Sequence, residues 1–143
     1  MTLLDAYALV ALLADEPAAV EVEDLLRAGQ ARVVVVNLAE TIDIAQRVHR
    51  YEQGEVRAAL EPLLLGDALE AIASSEDEAW LAADIRSRHY DKKASALSMA
   101  DCFLLAHALS GEAIATSDPP LADVAREEGV TVVALPDSSG KRP

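Results

Sequence analysis

A three-layer α/β/α sandwich around a central parallel sheet is the fold that the sequence predicts. Short apolar runs, some of them β-branched, alternate along the chain with longer stretches of helical period, and strands separated by helices pair in parallel because that connection needs a crossover. The 143 residues suit one compact domain that buries roughly two-thirds of the surface its unfolded chain would expose. Hydrophobic residues make up 52% and aromatics only 3%, so the core has to be built from Ala, Leu and Val.

The elements follow in order. Met1–Leu4 reads as the first strand, and Leu9, Leu12 and Leu13 share one stripe of the helix after it. Pro17 suits a first helical turn ahead of the Val22, Leu25, Leu26 stripe, which Gly29 closes at a C′ position. Val33–Val36 is the second strand. Gly54 and Gly66 read as the ends of further segments, and Pro62 implies a kink or break within a helical stretch. Ala68–Ala73 and Ala113–Ser117 are Ala-rich and are assigned as strands from their place between helices, with Leu104, Leu105 and Ala108 marking the helix between them. Gly129 ends the last helix, Thr131–Leu135 is the last strand, and there are no repeats. Residues 1–135 are expected to form the domain and 136–143 (PDSSGKRP) a short mobile tail.

Composition narrows the function classes. No apolar run approaches the roughly 18 residues of a membrane span, and the N-terminus shows neither a basic leader nor a small-residue cleavage site, so a cytoplasmic location is expected. The single cysteine, Cys102, makes no internal disulfide and no multi-Cys metal site. A formal net charge of −13 argues against a broad phosphate-binding face and favours basic partners or cations. It is compatible with a nuclease if the acids bind metal, because a divalent ion reverses the sign of the local field.

Four acids stand where a helix begins: Asp5 after TLL, Glu40 in NLAE, Asp101 in SMAD and Asp118 in ATSDPP. Each has an ordinary explanation. Asn37 with Glu40, and Ser98 with Asp101, fit the capping box, while Asp118 before Pro119 suits an N-cap and Asp5 another. In a parallel sheet, however, helices that follow strands start at the C-terminal edge, where such folds bind ligands. Four carboxylates converging there would repel one another by several kcal/mol in a partly desolvated cleft. All-oxygen ligands select a hard ion, Mg²⁺ or Mn²⁺, over zinc.

The segments LLDAYALVALLADEP, VNLAET, LSMADCFLLAHAL and AIATSDPPL resemble, in order and spacing, the signature regions of VapC-like PIN-domain ribonucleases, the toxin halves of bacterial toxin–antitoxin pairs. The resemblance covers nearly the whole chain apart from the tail. It implies strand order 3-2-1-4-5, a homodimer, Mg²⁺-dependent endonucleolytic cleavage of RNA, and an antitoxin whose peptide blocks the site. Asp5, Glu40, Asp101 and Asp118 match the family's four acids, and Thr116 matches a hydroxyl residue that helps orient water or metal. Pro119 and Pro120 depart from the family's pattern, which more often has a polar or basic residue there; Asp118 is the acid most expected to act through water.

Other residues carry weaker signals. The run Arg86–Lys93 (RSRHYDKK) sets Arg86, Arg88, His89, Lys92 and Lys93 against one acid, Asp91, and is the best RNA-binding candidate; a solvated helix end explains it equally. Arg47 and Arg50 invite the same idea, and Asp43 lies one turn beyond Glu40. His107 reads as a packed side chain and Cys102 as core. Two rivals remain. A phosphoacceptor receiver domain needs an Asp after its third strand and a Lys after its fifth, whereas Ala73-Ser74 and Leu135-Pro136 stand there. A PIN-like module that binds RNA or protein without cutting is the other.

Overall fold

The computed structural model describes all 143 residues. Five strands form one parallel sheet: β1 (Thr2–Leu4), β2 (Ala31–Val34), β3 (Leu69–Ile72), β4 (Ala113–Thr116) and β5 (Val132–Ala134), in the order β3-β2-β1-β4-β5. Seven helices cover it: α1 (Ala6–Leu13), α2 (Ala19–Arg27), α3 (Val35–Arg47), α4 (Gln53–Leu65), α5 (Glu76–His89), α6 (Met99–Ala108) and α7 (Pro119–Glu127). The expected sandwich and strand order are both found.

The apolar runs explain the layers. Consecutive strand side chains point to opposite faces, so Leu3, Val34 and Ile114 enter a core with α5, α6 and α7, while Leu4, Val33 and Ala115 enter a second core with α1, α2 and α4. Both faces of the central strands are therefore dry, and continuous apolar runs rather than alternation encode them. Leu104 and Leu105 of α6 are fully buried in the first core, and Leu9 and Val22 in the second.

Several sequence expectations shift. Helix α3 starts at Val35, so the second strand ends two residues earlier than its β-branched run suggests; the packing of Ile44 against Ala6 and Val10 of α1 holds this helix down and overrides β propensity, while the Thr41 hydroxyl bonds the Asn37 carbonyl of its own helix at 2.8 Å. Asn37 consequently lies inside the first turn and makes no capping box with Glu40; the N-cap is Val34. Pro17 sits in the turn before α2 rather than in its first helical turn. Gly54 opens α4 instead of closing a segment, because Glu52 and Glu55 cap that helix reciprocally. Nor does Pro62 break α4: it falls in the last turn, where the helix is ending anyway at Gly66. Gly29 and Gly129 do occupy C′ positions with φ of 63° and 78°, which L side chains adopt only with strain.

After β5 the chain folds back. Asp137 Oδ1 accepts from Ser139 and Lys141 amides, and Arg142 pairs with Glu21 of α2 at 2.6 Å. No helix is long and apolar enough to cross a membrane.

Because Leu104 is enclosed on all sides by the first core, Leu104→Ala is expected to cost about 3 kcal/mol. Urea unfolding followed by circular dichroism checks this; a loss under about 1 kcal/mol would mean that α6 does not seal the core.

Candidate active site

At the C-terminal edge of β1 and β4 a chain of hydrogen bonds joins two acids through one hydroxyl. Asp5, the first residue past β1, caps α1 by accepting the Ala8 amide on Oδ1 at 2.6 Å. The hydroxyl of Thr116, last residue of β4, donates to Asp5 Oδ2 and accepts the Asp118 N–H at 2.9 Å. Asp118 caps α7 through the Leu121 amide at 3.1 Å, with Pro119 and Pro120 opening the helix. The register puts Leu4 beside Ala115 and so sets Asp5 against Thr116.

Asp101 arrives from α6. Its Oδ2 accepts the Ser98 amide at 2.8 Å while the Ser98 hydroxyl accepts the Asp101 amide at 3.0 Å, the reciprocal box that the sequence suggests. Glu40, half-buried on α3, lies beside the Ser98 hydroxyl and within the field of Asp101. Capping and clustering are thus not alternatives: the caps are what aim three of the carboxylates.

These acids sit in one field with no compensating cation. Burial, opposed by the Thr116 and Ala8 hydrogen bonds and reinforced by Asp101 and Asp118, pushes the Asp5 carboxyl up to about 7. Burial likewise raises Asp101, with Asp118 adding repulsion, and raises Glu40, with Asp101 adding repulsion. Asp118 is raised by burial alone. No Lys, Arg or His acts on any of the four.

Oxygen donors of this kind match a hard divalent cation, and such an ion would relieve the repulsion. The fit is one of chemistry and charge, not a finished cage. No three Asp, Glu, His or Cys side chains are drawn together as ligands would be; Asp5 uses both oxygens, and Asp101 and Asp118 one each, in the hydrogen bonds that hold them.

Two residues near the acids were not among the site residues expected from the sequence, Asn37 having been read only as a cap. Tyr7, 56% exposed on α1, faces all four acids, each of which raises its phenol after burial has done so. Its signal was an aromatic two places past Asp5 in a chain with only three tyrosines. Asn37, fully buried one turn before Glu40, leaves both polar side-chain atoms without a partner.

The basic run divides. Arg88 is held by Asp84 and Glu128, and His89 by Glu127 and Glu128. Arg86 has no carboxylate partner: it lies 4.7 Å over the Tyr90 ring, with its Nε buried and unbonded, close enough to act on Cys102, the neighbour of Asp101. Lys92 and Lys93 are exposed in the loop closed by the Asp91–Ser95 bridge. Elsewhere Arg47 pairs with Asp43 at 2.9 Å, His107 meets the Ser74 hydroxyl at 2.9 Å, and Cys102 is buried.

The PIN-domain family model matches residues 2–127, a span that contains all four acids. The chain belongs to the PIN-domain family. PIN domains are generally nucleases, the activity class to which this carboxylate edge is suited. Two solved structures share the fold. One is a toxin–antitoxin complex from Klebsiella pneumoniae, with TM-score 0.57, 21% identity, and coverage of 82% of this chain and 87% of that one. The other is FitAcB from Neisseria gonorrhoeae, with TM-score 0.62, 21% identity, and coverage of 92% and 96%. No curated protein sequence matches the chain significantly.

Asp5 takes up its proton more readily folded than unfolded, at about 7 against an ordinary 3.8. Between those values the folded state binds more protons, so stability falls as pH rises through that window and levels off above it. Asp5→Asn keeps a capping oxygen but has no charge to bury, and without divalent ions it is expected to raise Tm at pH 8 by several degrees and much less at pH 4. Equal shifts at both pH values in a thermal scan would show that the carboxyl is not strained.

Proposed function

We propose that this PIN domain is a metal-dependent endoribonuclease, cutting RNA phosphodiesters with water, and that it is the toxin of a toxin–antitoxin pair. The convergence of Asp5, Glu40, Asp101 and Asp118 at one sheet edge, with no cation among them, carries the proposal. Asp5 and Asp101 would hold Mg²⁺ or Mn²⁺ directly, Glu40 would complete the set, and Asp118 would act directly or through water. When bound, the ion supplies a water of lowered pKa and neutralises charge on the departing oxygen.

The chain's own residues do the positioning. Thr116 fixes Asp5 against Asp118 and keeps the Asp5 carboxyl more acidic than burial alone would leave it. The Ser98–Asp101 box holds the third acid in register as α6 enters the edge. Arg86, Lys92 and Lys93, free of carboxylate partners, would meet phosphates along the strand; Arg88, though exposed, is already paired with Asp84 and Glu128.

Regulation by an antitoxin protein with a basic segment is supported by two things, the −13 net charge and the naming of one structural neighbour as a toxin–antitoxin complex. Cytoplasmic action as a homodimer completes the proposal; symmetric pairs dominate small oligomers. The competing module that binds without cutting draws on the open arrangement of the acids.

Purified protein is expected to cleave single-stranded or structured RNA with Mg²⁺ or Mn²⁺ and not with EDTA. Asp5→Asn and Asp101→Asn should reduce cleavage to background with circular dichroism unchanged, and Thr116→Val should slow it roughly 10–100-fold, as loss of a ligand's supporting hydrogen bond does. Cleavage that persists in EDTA would exclude the mechanism, and binding without any cleavage would establish the competing module.

A further inference from the structure

Beside the acids, and sharing Asp118 with them, lies a recess whose other walls the proposed chemistry does not use. Tyr7 of α1 forms one wall, His49 at the end of α3 another, and Glu16, Asp118, Asp137 and Ser138 close it. Its volume is about 270 Å³, below the roughly 300–1,000 Å³ of sites that take drug-sized ligands, and so suited to one planar ring. Its residues come from distant parts of the chain, and two are delivered by unusual backbone. Asp15, immediately before Glu16, has φ of 52°, and Arg50, immediately after His49, has φ of 62°. Non-glycine residues take that conformation at a cost, and such positions cluster at ligand sites.

The chemistry of the walls selects an occupant. Tyr7 offers an exposed ring, and the His49 ring is steadied by stacking on Tyr51 at 6.0 Å with 9° between planes. The Glu16 carboxylate has no hydrogen-bond or ion-pair partner, its backbone alone being bonded, to Ala11 and Ala19, and Asp137 spends only Oδ1 on its turn, leaving Oδ2 free. Three carboxylates repel a phosphate but accept hydrogen bonds from a neutral ring that bears N–H groups. Aromatic faces bind any base, whereas carboxylate acceptors favour one with an exocyclic amine.

We propose that the recess between Tyr7, His49 and the Pro136–Ser138 turn binds one unpaired nucleobase next to the scissile bond, preferring the amino-bearing adenine, cytosine or guanine to uracil. This rests on the nuclease reading for its place in the reaction, but the binding itself needs neither metal nor phosphate. The turn after β5 becomes part of the site, held in position by the Arg142–Glu21 pair.

Neutral nucleosides isolate this recess from any metal-bound phosphate. In metal-free buffer, cytidine and adenosine at millimolar concentration should shift the NMR signals of Tyr7, His49 and Ser138, and uridine should bind roughly fivefold or more weakly. Tyr7→Ala should weaken cytidine binding about tenfold while Tyr7→Phe retains it, and Glu16→Gln should erase the preference over uridine. Shifts that map elsewhere, equal binding of uridine, or undiminished binding by Tyr7→Ala would each overturn the proposal. So would acetyl-arginine amide moving these signals where no nucleoside does, since the recess would then belong to a protein partner. If nucleosides bind here and RNA stays uncut with Mn²⁺, only the nuclease reading fails; if RNA is cut and nucleosides leave these signals unmoved, only this inference fails.

Discussion

Burial of carboxylates in one another's field at one edge of a parallel sheet is the constraint around which the rest of the molecule is arranged. Asp5 is almost wholly buried and lies in the field of Asp101 and Asp118, and no basic side chain answers it. A fold whose only aim was stability would not keep such a group there, because a carboxyl raised to about 7 is held at the expense of the folded state above that pH. Strain of this kind concentrates at functional sites. What tolerates it is the framework: a dry core on either face of the sheet, and caps that give Asp5, Asp101 and Asp118 defined backbone donors.

Helix capping and site building turn out to be one device. Asp5, Asp101 and Asp118 each accept a backbone amide at the start of a helix, and each is thereby aimed at the same edge. Thr116 adds the crosslink, donating to one acid and accepting from the backbone of another across the β1–β4 seam. The excess acidity of the chain is similarly divided. Many surface carboxylates are matched by an arginine, as in Glu70 and Glu112 on Arg32 or Asp43 on Arg47, whereas the four at the edge are not.

Much of this was legible in the residues. Apolar runs with no alternation announce strands buried on both faces, and Leu3 and Leu4, entering opposite cores, show why. The spacing Ser98–Asp101 and the pair Asp118–Pro119 encode caps that form as written. Less legible was the end of β2, where four consecutive valines read as strand although the last two are helical; the packing of Ile44 on Ala6 and Val10 joins residues far apart in the chain and leaves no local trace. Tyr7 was missed for a similar reason, since its relation to Glu40, Asp101 and Asp118 exists only once three helices have converged. The basic run was visible, but not that Glu128 would neutralise Arg88 and leave Arg86 unpaired.

If a hard divalent ion offsets the charge buried among these acids, thermal unfolding has to depend on Mn²⁺. The Tm of the wild-type protein is expected to climb steadily with Mn²⁺ concentration, as it must when a ligand binds only the folded state, and the climb to vanish in Asp101→Asn. A wild-type Tm indifferent to Mn²⁺, or one that climbs equally in Asp101→Asn, would contradict this role of the ion.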